Sequence, residues 1–243
     1  MGKRQLTLAV IVVLSAVLLA GCGSTPAIRH SKSDRQPVLV FYKSQALPPE
    51  FAPAGPTLIA YGTGTAYRQK ARYQYVGGKL SESQLNDLLS SVIDKGFFDL
   101  KTDLGRGAPG GVTDHVTVTL TGRSKLVEGP ENSGGTFGEI VKMLESYQIP
   151  GATPYTPAII TVHAAELTGQ QPWTGKTVAW TADPAVLARA SIAGADSFSG
   201  ATAAQVWKLL GDSYDPNGNV AFSAGGKLYE QVYATPNFPL PGV

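Results

Sequence analysis

Apolar and polar positions change rhythm several times along the chain, and each change predicts an element. From Pro37 onward, PVLVFYKS, PTLIAYG, TAYRQ and ARYQYVG are short, rich in β-branched and aromatic residues, and bounded by turn chemistry. That pattern predicts four strands. Gly62-Thr63-Gly64 supplies a hairpin turn, because glycine reaches positive φ without a clash, and Gly77-Gly78 ends the run. The rhythm then changes to that of a helix. Leu85, Leu88, Leu89, Val92 and Ile93 recur at the spacing of one helical face between Glu82 and Lys95. Ser81 and Gln84 fit a capping box at its start, and Gly96 fits a stop.

Residues 101–113 read as loop, after which HVTVTLTG and SKLVEG predict a hairpin turning at Gly122-Arg123. A second helix follows, with Thr136 and Glu139 as its capping box and Phe137, Ile140, Val141, Leu144 and Tyr147 on one side. Ile149-Pro150-Gly151 ends it. Further on, AIITVHAAEL predicts a strand, Asp183-Pro184 opens a short helix, and SFSGATAAQVWKLLG gives a strand, a cap and a helix. In that last helix Ala203, Val206, Trp207 and Leu210 face inward. Asp215-Pro216-Asn217-Gly218 is a turn, and NVAFSAGGKLYEQVYATP a closing hairpin. The expected fold is α+β: mostly antiparallel sheet with two or three amphipathic helices packed on one face. An α+β domain spans 37–150, and 151–243 is either a smaller α+β domain or a continuation of the same fold.

The start of the chain has a different character. Lys3 and Arg4 precede an apolar run from Leu6 to Leu19, broken only by Thr7 and Ser15, and small residues follow at Ala20 and Gly21. Residues 1–21 thus have the layout of a signal peptide. The run is shorter than the roughly 20 apolar residues a membrane-spanning helix needs. Leu19-Ala20-Gly21-Cys22 resembles the bacterial lipobox, in which a peptidase cuts before the cysteine. The resemblance implies a diacylglyceryl thioether on Cys22, usually an acyl chain on its freed amine, and an extracytoplasmic protein tethered to the cell membrane or outer membrane. Cys22 is the sole cysteine, so the body has no disulfide and no thiol nucleophile. Residues 23–36 are polar and aperiodic, which makes 22–36 a lipid-anchored tether.

Charge narrows the partners. The chain carries 20 Lys and Arg against 18 Asp and Glu, and losing Lys3 and Arg4 with the leader balances the two. A nucleic-acid partner would need a basic excess that the body lacks. Arg29, His30, Lys32 and Arg35 cluster after the anchor, either solvated or lying on anionic lipid. In the body, PTLIAYGTGTAY, GKLSESQLNDLLSSVIDKGFF and GVTDHVTVTLTG are similar to segments of exported actinobacterial lipoproteins, as is the ending from FSGATAAQVWKLL to NFPLP. Those proteins have no assigned activity, and the resemblance carries over no site residue.

Candidate chemistry is sparse. Gly169 to Thr177 nearly matches a phosphate-binding loop, but five residues separate its glycines where four are needed, and a strand follows in place of a helix. Asp215, Asn217 and Asn219 imitate a calcium loop, yet Val220 stands where glycine is required and Gly226 where glutamate is. His30, His115 and His163 are dispersed, so no metal and no cofactor is expected. Asp114-His115 lies where the glycine-rich stretch 105–111 enters a strand, Asp99 and Asp103 cluster with Asp114 around that loop, and Glu128 and Glu131 follow the hairpin. A paired-acid hydrolase would need two such carboxylates across a cleft. Tyr61, Tyr67, Tyr73 and Tyr75 lie in alternating strands. Exposed, they form a platform for sugar or peptide; buried, they are core. The leading expectation is a non-catalytic envelope module that binds a glycan, peptide or protein. The alternatives are an envelope hydrolase using carboxylates or His115, and a structural partner in an envelope complex.

Overall fold

Twelve strands and four α-helices make up the described part of the chain, which in this computed structural model comprises residues 28–45, 55–105, 107–108, 110–168, 173–215 and 220–238. Cys22, the leader, residues 169–172 and residues 216–219, which hold most of the turn expected at 215–218, lie outside the described residues. Seven strands form one antiparallel sheet: β1 (Pro37–Gln45), β2 (Leu58–Tyr61), β3 (Thr65–Ala71), β4 (Gln74–Lys79), β5 (Val112–Leu120), β6 (Arg123–Pro130) and β7 (Thr153–Tyr155), in spatial order β6-β5-β1-β2-β3-β4-β7. A second sheet of five strands has the order β10-β8-β12-β11-β9. Its members are β8 (Ile159–Glu166), β9 (Lys176–Ala179), β10 (Asp196–Ser199), β11 (Val220–Ala224) and β12 (Lys227–Pro236), and only the β9–β11 pair is parallel. The fold is α+β, as expected.

Helix α1 (Glu82–Ile93) follows its sequence signal closely. Gln84 N–H donates to Ser81 Oγ at 3.1 Å, and Ser81 N–H donates to Gln84 Oε1 at 2.8 Å, which completes the capping box. Leu85, Leu88, Leu89 and Val92 are buried against Leu39, Phe41, Leu58 and Ala60 of the sheet. Each such side chain contributes about 1.5–3 kcal/mol. Helix α2 (Gly135–Ser146) covers the same face with Phe137, Ile140, Val141 and Leu144. Its expected capping box is absent. The helix begins at Gly135 with Gly134 as cap, so Thr136 is already inside the first turn and cannot cap it. The Arg68 side chain closes the other end by donating to the carbonyls of Glu145 and Tyr147.

The opposite face of the seven-stranded sheet is covered in part by the rest of the chain. Helices α3 (Pro184–Ala193) and α4 (Gly200–Ser213) and the second sheet share one hydrophobic core with Ile59, Tyr61, Tyr73 and Tyr75 of the first. Strand β7, which follows the boundary expected at 150, completes the first sheet by pairing with β4. The chain thus crosses that boundary while still building the same sheet. Gly77 illustrates how close the packing is: a Cβ there would lie 2.8 Å from the Tyr67 ring.

From Ile28 onward the segment expected as a tether packs on the body. Ile28 packs on the helical-face core, Thr121 N–H donates to the Arg29 carbonyl at 2.8 Å, and His30 is buried. The Ser31 carbonyl rests on Gly62, where a Cβ would stand 1.5 Å from its oxygen, so no other residue fits. Lys32 Nζ pairs with Glu82 Oε1 at 2.6 Å.

Candidate functional site

Residues of the β3–β4 hairpin, β7 and α4 line a cleft of about 590 Å³. That volume falls in the range that holds small ligands. Tyr75, Tyr155 and Trp207 wall it, and Lys70, Lys208 and Asp212 contribute its charged groups. The aromatic wall is tightly interlocked. Tyr73 meets Trp207 edge to face, Tyr75 and Trp207 are 6.1 Å apart between ring centroids, and Phe238 backs both Tyr75 and Tyr155. Tyr75 donates its hydroxyl to the Pro56 carbonyl at 2.9 Å. Among the described residues the buried Trp207 indole N–H has no hydrogen-bond partner. Such a group costs about 1–3 kcal/mol and is uncommon in folded proteins. Burial and the neighbouring Tyr67 push the Tyr155 hydroxyl up to about 12, so this wall stays neutral at any physiological pH.

The four tyrosines singled out by alternation do not make an exposed platform. Tyr61, Tyr73 and Tyr75 are 1%, 6% and 3% exposed, and Tyr67 is half-buried. The covering second sheet and α4 account for this, because they bury the face that alternation had left undecided. Tyr73 departs from the expectation in a second way. It sits in the β3–β4 turn at φ 61° and not in a strand. Tyr73 and Tyr75 line the cleft together with Tyr155 and Trp207.

A second constellation lies across the sheet, on β1, β5 and β6. Register places His115 between Tyr42 on β1 and Glu128 on β6. Ser44 Oγ is 2.6 Å from His115 Nε2, and His115 Nδ1 is 2.9 Å from Glu128 Oε1. Tyr42 stacks flat on the imidazole, with centroids 4.3 Å apart and planes 2° apart. Burial, helped by the charge of Glu128, raises the Tyr42 hydroxyl above its ordinary value. The main chain of the segment after α1 braces Glu128: its N–H donates to the Thr102 carbonyl at 2.8 Å, and its carbonyl accepts from Leu104 N–H at 2.9 Å.

The other carboxylates are engaged on the opposite face. Lys43 Nζ lies 2.6 Å from Glu145, 2.8 Å from Glu131 and 3.5 Å from Asp114, which is 1% exposed. Burial alone would lower Lys43, but the hydrogen bonds to Glu131 and Glu145 outweigh it and hold the ammonium above its usual range. Desolvation raises Asp114 against the pull of Lys43. Asp103 Oδ1 accepts from Gly105 N–H at 2.7 Å, and Asp99 is exposed. Asp114, Glu131 and Glu145 gather around one lysine, and among the described residues these acids do not form the expected pair across a cleft. His163 is distant from the other two histidines in structure as in sequence, and stacks on Tyr233 at 4.4 Å.

Sequence reasoning missed Ser44, Lys70, Tyr155, Trp207 as a cleft wall, Lys208 and Asp212. No local pattern marks them, since strand register and the placement of α4 bring them together. Neither a family model, nor a curated protein, nor a solved structure matches the chain.

Proposed function

We propose that the protein is a lipid-anchored, extracytoplasmic binding module of a bacterial envelope, held through Cys22, with its ligand site in the cleft between β4, β7 and α4. The cleft carries the reading: aromatic side chains beside lysines and a carboxylate suit a ligand with apolar faces and polar edges. An envelope glycan fits that description best, because sugar rings stack on aromatic side chains while hydroxyls take hydrogen bonds from the charged rim. At the rim Lys208 pairs with Asp212, and Lys70 with Gln148 at 2.7 Å.

Titration of the purified full chain with N-acetylglucosamine oligomers, followed by tryptophan fluorescence, tests the site. Saturable quenching that Tyr155→Ala and Lys70→Ala each weaken at least tenfold is expected. Binding unaffected by both variants would remove the cleft from consideration. The anchor has its own test. Cells fed a labelled fatty acid should incorporate it into the wild-type protein and not into Cys22→Ala, and label in the variant would refute the anchor.

A further inference from the structure

We propose that Ser44, His115 and Glu128 form a serine-nucleophile acyl-transfer centre that acts on esters of small acyl groups. The site is separate from the cleft, at the other end of the seven-stranded sheet, so it stands or falls independently of the binding reading.

Hydrogen-bond chemistry fixes the roles. An ionised carboxylate only accepts, so with Glu128 ionised the hydrogen of a neutral imidazole sits on Nδ1 and points at Oε1. Nε2 then holds the lone pair, and the only way to make the 2.6 Å contact is for Ser44 to donate its hydroxyl hydrogen. Nucleophile, base and orienting acid are thus linked in the order that activates a serine. The ring cannot easily swing away, because Tyr42 lies parallel against it and Glu128 is pinned through its main chain on the edge strand.

Access distinguishes this arrangement from an internal hydrogen-bond chain. On β5, Asp114, Val116 and Val118 are buried toward the helices, whereas Thr113, Thr117 and Thr119 on the His115 side are half-exposed. Ser44, Tyr42 and Glu128 are half-exposed as well. Among the described residues, the core built by the second sheet reaches this face no further than Val40 on β1. An acyl group can therefore approach Ser44 from solvent, while His115 itself is 9% exposed and held away from bulk water.

The chemistry balances without a co-reactant beyond water. Ser44 Oγ bonds to the ester carbonyl carbon as its proton passes to His115 Nε2, and Glu128 stabilises the resulting imidazolium through Nδ1. The bond from the carbonyl carbon to the alcohol oxygen breaks, and the departing alcohol takes the proton from Nε2. Water then attacks the acyl-serine, gives a proton to Nε2, and that proton returns to Ser44 Oγ as the carboxylic acid leaves.

A fluorophosphonate reporter carries its own leaving group and so reads the nucleophile directly. The purified full chain should form one adduct, which peptide mass spectrometry places on Ser44. Ser197→Ala, which removes an exposed serine of the second sheet, should label at the wild-type rate. Ser44→Ala should not label, and His115→Ala should label at least about 100-fold more slowly, as loss of a general base requires. Glu128→Gln should fall between these, with the pH dependence of labelling altered. A wild-type chain that forms no adduct, or an adduct elsewhere that survives Ser44→Ala, overturns the proposal. Equal labelling rates in wild type, His115→Ala and Glu128→Gln overturn it too, since they would describe an ordinary surface serine. Should His115→Ala fail to fold, adduct position in the wild type and the Glu128→Gln rate still decide.

Discussion

Tyr73 and Trp207 meet edge to face, with ring centroids 5.1 Å apart and planes at 85°, and this contact joins the β3–β4 turn to α4. Ala234 N–H adds a hydrogen bond to the Tyr73 hydroxyl at 3.3 Å, so one turn residue of the first sheet touches both α4 and β12. Truncating either ring should destabilise the whole chain by about 3–5 kcal/mol, the usual cost of removing a buried aromatic. In urea titrations of Tyr73→Ala, Trp207→Ala and the double variant, a coupling of about 0.5–1.5 kcal/mol is expected. Strict additivity would show that the two rings do not support each other.

Leu89 is fully buried in the middle of α1, and Glu82 is exposed on its first turn. Leu89→Asp places an unpaired charge among Leu39, Phe41 and Val116 and should cost several kcal/mol, about 3 or more. Glu82→Ala should leave the melting temperature almost unchanged. Equal melting temperatures for the two variants would contradict the packing of this helix.

At Gly62 the expected effect is local. Any side chain collides with the Ser31 carbonyl, so Gly62→Ala should free the segment that begins at Ile28 while the sheet stays folded. Trypsin then cleaves after Arg29 and Lys32 faster than in the wild type, and circular dichroism is unchanged. Identical digestion rates would mean the segment is held elsewhere.

His163 gives a pH dependence of known sign. Burial lowers its affinity for a proton below the ordinary histidine value of 6.5, and the hydrogen bond involving the Gly194 backbone only partly opposes this. A depressed folded-state value means the contribution is complete above about pH 6.5 and is lost as the pH falls through the folded value. Wild-type stability should therefore fall on acidification below that point, and His163→Gln should flatten the slope. Parallel pH profiles for the two proteins would remove His163 as the cause.

What could be read in advance was what neighbours in sequence decide. The Ser81–Gln84 box, the inward face of α1, the Asp183-Pro184 start of α3 and the buried stripe of α4 all depend on residues within a few positions of one another. Thr136 failed because a helix start is a competition between adjacent residues, and Gly134 took the cap. The tyrosines show a different limit. Alternation assigns them a face, but only the arrival of the second sheet determines whether that face meets water or Phe238 and Trp207. Ser44, His115 and Glu128 are set by register across three strands, and a one-residue slip would separate them.

The docked segment also gives the protein a direction. With lipid on Cys22 as proposed, only residues 23–27 separate the anchor from Ile28, a leash of at most about 22 Å. It is fastened beside Gly62 and Thr121, at the end of the sheet where β1 begins and the β2–β3 hairpin turns. Ser44 lies at the other end of β1, and the cleft residues Lys70, Tyr73 and Tyr75 surround the opposite hairpin. Under the anchoring proposed above, the molecule would stand on the bilayer by the rim at Gly62 and Thr121 and hold both candidate sites at the far rim.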